Sequence, residues 1–309
     1  PTAHKLARLA EFSRRLLAAD EVDHVTAHCG QVKEQTFYAD LAGSTITQQR
    51  VRVAPQLEAT AVDRRTGEFE TMRTLAPPVG RGWEYAAGDA HWDWSAELAQ
   101  IPGWLAEKAS APSVQAGPTD LVIDPTNLWL TVHESIGHAT EYDRAIGYEA
   151  AYAGTSFATP DGLGTLRYGT EVMQVTADRT VAHGLASVGW DDDGVAAQSW
   201  DLVRDGILVG YQLDRVFAPR LGLPRSNGCS YADSAHHVPI QRMANVSLQP
   251  DPAADTTTAE LIARVDDGLY VVGDKSWSID MQRYNFQFTG QRFYRIRGGT
   301  LAGQVRDVA

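Results

Sequence analysis

Cysteine is nearly absent from this chain: 309 residues hold only Cys29 and Cys229. Two thiols separated by much of the sequence rule out a disulfide scaffold and fit a reducing, cytoplasmic setting. Long apolar runs are missing too. No stretch approaches the roughly 18 residues of a membrane-spanning helix, and the opening Pro1-Thr2-Ala3-His4-Lys5 lacks the charged-then-apolar layout of a secretory signal. Nor is there a surplus of positive charge, since Lys and Arg number 27 against 39 Asp and Glu, a net −12. With no Lys/Arg-rich tract either, neither nucleic acid nor a membrane is expected as a partner. Peptide substrates, small or basic ones included, stay compatible with this charge, which does not choose among them.

What is present is ample core material. At 309 residues the chain exceeds one average domain, so two packed units are expected, and a hydrophobic content of 43% suffices for a core. The stretch that organises them is Thr131-Val132-His133-Glu134-Ser135-Ile136-Gly137-His138-Ala139-Thr140-Glu141-Tyr142-Asp143-Arg144, led in by Leu121-Val122-Ile123 and Leu128-Trp129-Leu130. Neutral imidazole is the commonest zinc ligand, and a carboxylate beside such an ion can take a proton from its water. His133 and His138 are therefore candidate ligands and Glu134 a candidate general base.

The spacing sets a structural condition. The familiar zinc helix places its histidines at i and i+4; these two are five apart, roughly 140° around a regular helix. To share an ion they need a π-bulge, or a break near Gly137. The competing reading is chance proximity in a chain with nine histidines. Glu141, three residues after His138, has the spacing to orient that imidazole; Asp143 is close in sequence, and both are equally plausible as solvent-facing helix charges.

His133-Glu134-Ser135-Ile136-Gly137-His138 followed by Glu141 and Asp143 resembles the HExxxH signature of the TldD/PmbA metallopeptidases, in particular the TldD-type subunit. The likeness continues in order through Gly189-Trp190-Asp191-Asp192-Asp193-Gly194, Leu202 to Tyr211, Gln241-Arg242-Met243-Ala244-Asn245-Val246, Asp267-Gly268-Leu269-Tyr270-Val271 and Gly298-Gly299. The resemblance implies a Zn²⁺ peptidase acting on short or unfolded peptides, in an enclosed chamber of a homo- or heterodimer of two-domain subunits. It implies that zinc lowers the pKa of a water whose proton Glu134 accepts. It also implies a third ligand, a cysteine in a glycine-rich segment near the family C-terminus. Cys229 does not sit in matching surroundings, so that thiolate is expected beyond Ala309, and both family termini are expected to be missing. Two other readings use the same residues: a catalytically silent peptide-binding subunit, against which the intact His133, Glu134 and His138 argue, and a metal hydrolase of a non-peptide amide.

The expected fold class is α+β. Residues 1–115 should form the remainder of an N-terminal α/β portion with antiparallel strands; 116–309 should hold the motif helix and a strand-rich mixed or antiparallel β domain. Residues 1–19 read as a helix with Leu6, Leu9, Ala10, Leu16 and Leu17 on its apolar positions. Short strands are expected at 25–29, 34–39 and 50–54, interrupted by Gly30 and Gly43-Ser44, with a further pair across the turn 63–68. Cys29 with His24 and His28 is better read as ordinary strand residues than as a metal site. Two helices are expected at 95–100 and 103–108, then a linker over 109–118. Leu121-Val122-Ile123 reads as a buried strand, Asp124 to Asn127 as the cap of a helix running to about Ala145. Asp205-Gly206 is a hairpin signal and Asp191 to Gly194 a turn. A short helix is expected over 258–266. The polar loop around Ser226 to Asn245 suggests substrate contact, with Arg242 holding a peptide carboxylate and Asn245 the peptide backbone, against structural pairing for both.

Overall fold

In α1 (Thr2–Leu17) the side chains at 9, 12 and 16 recur at helical spacing, and it is this stripe, Leu9, Phe12 and Leu16, that is buried. Leu6 and Leu17, expected on the apolar positions, face solvent instead. The computed structural model describes residues 2–64, 66–251 and 254–309, so Arg65 in the 63–68 turn and the first residue of the chain lie outside the described residues.

The expected short strands are two long ones. β1 (His24–Ala39) and β2 (Thr45–Val62) pair antiparallel without interruption from His24↔Thr60 to Ala39↔Thr45. Gly30 sits mid-ladder opposite Ala54 and breaks nothing, because the paired backbone needs no side chain there. β3 (Phe69–Arg73) adds to the far side of β2. After the short α2 (Glu84–Ala87), the two expected helices prove to be one, α3 (Trp94–Ser110), with Pro102 inside it. Asp93 caps it through Ala96 N, and Trp94, Leu98, Ile101 and Leu105 keep one buried stripe across the proline. Phe12 stacks on Trp94 at 5.5 Å, which joins α1 and α3 over the sheet. The linker begins later than expected, since Ala109 and Ser110 still belong to α3. It is also tied down, with Val114 N bonded to Arg306 O and Arg306 N to Pro112 O.

β4 (Asp120–Ile123) lies parallel to a strand far along the chain, β11 (Asp267–Ile279), which continues antiparallel to β12 (Phe286–Arg297) and on to β13 (Thr300–Val305). As an edge strand, β4 buries only Val122; Leu121, expected inside, is 51% exposed. The β4-to-motif junction is pinned to this sheet. Asp124 caps α4 (Pro125–Thr131), accepting from Thr126 N at 2.9 Å, and its other oxygen accepts from Tyr270 Oη at 2.7 Å. Asn127 Nδ2 donates to Gly273 O at 2.9 Å.

Beyond the motif come short helices α5 (Tyr142–Ala145) and α6 (Ala150–Ala153), then a second sheet. It is built from β5 (Val175–Asp178), β6 (Ser199–Arg204), β7 (Ile207–Leu208) and, after the two-stranded β8 (Ser230–Tyr231) and β9 (Ile240–Gln241), β10 (Asn245–Leu248), in the order β10-β5-β6-β7. Asp205 and Gly206, with φ of 51° and 73°, make the expected tight hairpin between β6 and β7. Asp191 to Gly194 is a turn, closed by Asp191 Oδ1 accepting from Asp193 N and Val195 N. α7 (Thr258–Ala263) carries a full capping box between Thr257 and Glu260. Mixed helices with antiparallel and mixed sheets make the class α+β, and no described helix is long and apolar enough to cross a membrane.

Because Asp124 satisfies both a helix N-terminus and a buried-side phenol, Asp124→Ala should cost about 1–2 kcal/mol of stability, read as a lowered midpoint in chemical denaturation; an unchanged midpoint would show that the junction is held by other bonds.

Candidate metal centre

The motif helix meets the condition that its spacing imposes. After α4, residues Val132–Gly137 form a π-helical turn in which His138 N–H bonds His133 C=O, the i to i+5 bond that brings the two imidazoles onto one face. Their ring centroids lie 4.5 Å apart at an interplanar angle of 74°. A 3₁₀ turn follows at His138–Thr140, and Glu141, with ψ of 116°, ends the run. The helix thus stops at Thr140, short of the expected Ala145, and α5 is a separate turn, because the backbone leaves helical conformation at Glu141.

Widening the turn leaves carbonyls to be satisfied, and long-range partners do so. Gln212 Nε2 donates to Gly137 O at 2.6 Å and to Thr140 Oγ1 at 3.2 Å, while Gln212 Oε1 accepts from Ala244 N at 2.7 Å. Thr140 Oγ1 donates in turn to Ile136 O at 2.8 Å. Ile136 packs into the core of the second sheet with Val175, Leu202 and Ala244, and Ala139 into that formed by Tyr142, Leu208 and Tyr211. A β-carbon at Gly137 would come within 2.6 Å of Met243 Sδ, so the turn and the 242–245 segment are in close contact.

One nitrogen or oxygen from each of His133, Glu134 and His138 falls within 4.8 Å of the others, and no other His, Cys, Asp or Glu group of this kind occurs among the described residues. Burial lowers the pKa of His133 to about 4, with the neighbouring His138 the next cause. Burial lowers that of His138 to about 2, helped by Arg144, Arg283 and Arg242. Both rings are therefore neutral at neutral pH, the form that binds metal. Burial raises the Glu134 carboxyl, against the pull of Arg283 and Arg144.

Glu141 is fully buried and holds His138 Nδ1 at 2.7 Å; the same oxygen takes Arg144 Nε at 2.5 Å. Of the two acidic residues noted in the sequence, Glu141 is thus the one that orients the imidazole. Asp143 accepts from Arg144 N instead, and burial followed by the Glu141 charge pushes its carboxyl up to about 7. Neither is a solvent-facing helix charge.

The 226–245 loop contributes less than its composition suggests. His236 and His237 are exposed, the latter paired with Asp233 at 2.5 Å. Asn245 spends its amide on structure: Nδ2 donates to Asp178 O and Ser187 Oγ, and Oδ1 accepts from Ala186 N. That leaves no donor for a peptide backbone. Arg242 is different, for its guanidinium has no hydrogen-bond or ion-pair partner among the described residues and its charge acts on His133, His138 and Glu141. Cys229 is buried in the core beside Val175 and Leu202, and burial pushes its thiol up to about 12, so it does not join the histidines. Sequence reasoning missed Arg144, Gln212 and Arg283. Arg144 had a legible signal, its i+3 spacing from Glu141; the other two come from distant segments and had none.

Two imidazoles and a carboxylate gathered on one turn put the chain in the class of proteins with a candidate metal centre. More narrowly, it belongs to the TldD/PmbA family, whose description "PmbA/TldA metallopeptidase C-terminal domain" matches residues 116–309. A metalloprotease of Methanothermobacter thermautotrophicus is 32% identical over 202 residues, covering 65% of this chain and 41% of that protein. A zinc metalloprotease TldD homolog of Saccharolobus solfataricus is 24% identical over 212 residues, 68% of this chain and 44% of that protein. The chain therefore spans less than half the length of these relatives. The fold is that of TldE from Thermococcus kodakarensis, with a TM-score of 0.74 at 15% identity, covering 97% of this chain and 63% of that one.

Removing Gln212, as in Gln212→Leu, should cost about 1–3 kcal/mol for each buried group left without a partner and should speed amide hydrogen exchange at His138; protection equal to the parent's would mean that the π turn is held without it.

Proposed function

We propose that this chain carries the metal centre of a zinc-dependent peptidase, with His133 and His138 as zinc ligands, Glu134 as general base and short or unfolded peptides as substrates. The observation behind this reading is the convergence of two imidazoles and a carboxylate within 4.8 Å on a turn whose π geometry serves that convergence. The donor set suits zinc: two imidazoles held neutral, one of them fixed through Nδ1 by Glu141 so that its other nitrogen is left for an ion. Bound there, zinc would supply a Lewis acid that acidifies a water and polarises a substrate carbonyl.

The chain's own residues do the rest. Glu134, buried beside both rings, accepts the proton of the attacking water and passes it to the leaving amine. Arg242, a half-buried cation without a partner among the described residues, receives a carboxylate of the peptide. A third protein ligand belongs to the same proposal and is a thiolate by family resemblance, as is pairing with an identical or different family subunit. The relatives named metalloprotease support the reaction class.

In the intact protein, Glu134→Gln should retain zinc and lose peptide cleavage by about 10²–10⁴-fold, measured as metal content and turnover of an unstructured peptide. Cleavage at the parent rate would remove Glu134 from the chemistry, whereas a parent protein that binds peptide without cleaving it would favour a silent peptide-binding subunit. His138→Ala should lose the metal itself.

A further inference from the structure

The tip of the β11–β12 hairpin, residues 280–285, sends one side chain inward. Asp280 builds the tip: its Oδ1 accepts from Gln282 N and Tyr284 N, and its Oδ2 from Asn285 N and Asn285 Nδ2. In that frame Arg283 takes a φ of 61°, a left-handed conformation unfavourable for a residue with a β-carbon. Its neighbours Met281 and Tyr284 are 66% and 68% exposed, whereas Arg283 is 7% exposed. A strained backbone that buries a guanidinium between two exposed residues needs a reason, and its partners supply one.

Arg283 Nη1 donates to Thr155 O at 2.6 Å and Nη2 to Ala153 O. The Ala153 carbonyl also accepts Arg144 Nη1 at 3.2 Å. Arg144 is the residue whose Nε holds Glu141 Oε2, and that oxygen holds His138 Nδ1. The 153–157 segment is laced to the tip by Thr155 N to Met281 O and Phe157 N to Gln282 O, and to the motif by Ser156 Oγ to Ala139 O at 2.6 Å. Gly154 makes the close approach possible: φ is 78°, and a β-carbon would meet Met281 O at 2.6 Å. Two guanidiniums converge on one carbonyl despite like charge. Burial and then Arg144 disfavour the charged form of Arg283, while Glu141, Glu134 and Asp143 favour it.

We propose that Arg283 is a positioning residue for the metal centre: by fixing the Ala153 carbonyl it sets the place of Arg144, and through Arg144 and Glu141 the orientation of the His138 imidazole. This rests on the reading of His133 and His138 as metal ligands. It assigns to a hairpin some 150 residues downstream a share in ligand geometry, which the motif alone does not contain.

The test uses the intact protein, loaded with Zn²⁺ for affinity by competition with a chromophoric chelator and with Co²⁺ for its absorption bands. Arg283→Ala should weaken zinc about 10- to 100-fold and shift the cobalt bands. Arg283→Lys, which keeps the charge and one donor direction, should restore part of the affinity. Tyr284→Ala, on the same turn, should change neither. A purely structural role would lower the melting temperature of Arg283→Ala and leave the cobalt spectrum of the folded protein unmoved, and that result would overturn the proposal. If Arg283→Ala does not fold, Arg283→Lys decides, parental affinity and bands counting against the proposal. His133→Ala run alongside separates the two readings. If it binds zinc as the parent does, the metal assignment fails and this inference with it; if it loses zinc while Arg283→Ala keeps parental affinity and spectrum, only this inference falls.

Discussion

A single hydrogen bond, from His138 N–H to His133 C=O, is the constraint that the rest of the motif accommodates. In a regular helix two side chains five residues apart diverge; the wider π turn brings them to one face, with rings 4.5 Å apart. The cost of that turn is backbone polarity out of register with its own helix. Gln212 and Thr140 meet it from inside the protein, and neither is exposed. Glu141 then ends the helical run, and its side chain turns back on the second imidazole at 2.7 Å.

Charge around this turn is arranged by the same logic. Three acids, Glu134, Glu141 and Asp143, are buried within one short stretch, and a cluster of this kind without counter-charge would expel itself from the interior. Arg144 and Arg283 stand against them, both buried, and Arg242 stands at the margin with no side-chain partner among the described residues. The cations also depress both imidazoles, reinforcing what burial does, so that rings packed beside an acid cluster stay unprotonated. Glu141 keeps one oxygen, Oε1, with no partner among the described residues, so its two donors are concentrated on the oxygen that carries His138.

What the sequence made legible was local. The five-residue spacing of His133 and His138 demanded an irregular helix, Asp124-Pro125 announced its start, and Asp205-Gly206 its hairpin, because each feature is decided within a few residues. Features decided at long range were not readable. Gly30 looks like a strand breaker until its partner Ala54 is known, and Pro102 looks like a helix end until the buried stripe from Trp94 to Leu105 is seen to continue across it. Asn245 carries the right chemistry to bind peptide, but Asp178, Ser187 and Ala186 consume it. Arg242, three residues away, has a comparable signal in sequence and the opposite fate, since no acid among the described residues pairs with it.

The supports of the centre come from far apart in the chain: Gly273 and Tyr270 hold the start of the motif helix, Gln212 its π turn, Arg283 the carbonyl beneath Arg144. None of these contacts exists in an isolated motif peptide, where a π turn has no compensation for its displaced carbonyls and a helix of this length is marginal in water. The paired imidazoles are thus a product of the complete fold, not of the hexapeptide that announces them. Any ion bound by them draws on that fold for its geometry, and by linkage returns the binding free energy as stability of the sheets and hairpin that hold the turn in place. Ligand geometry and global stability at this site are two readings of one network.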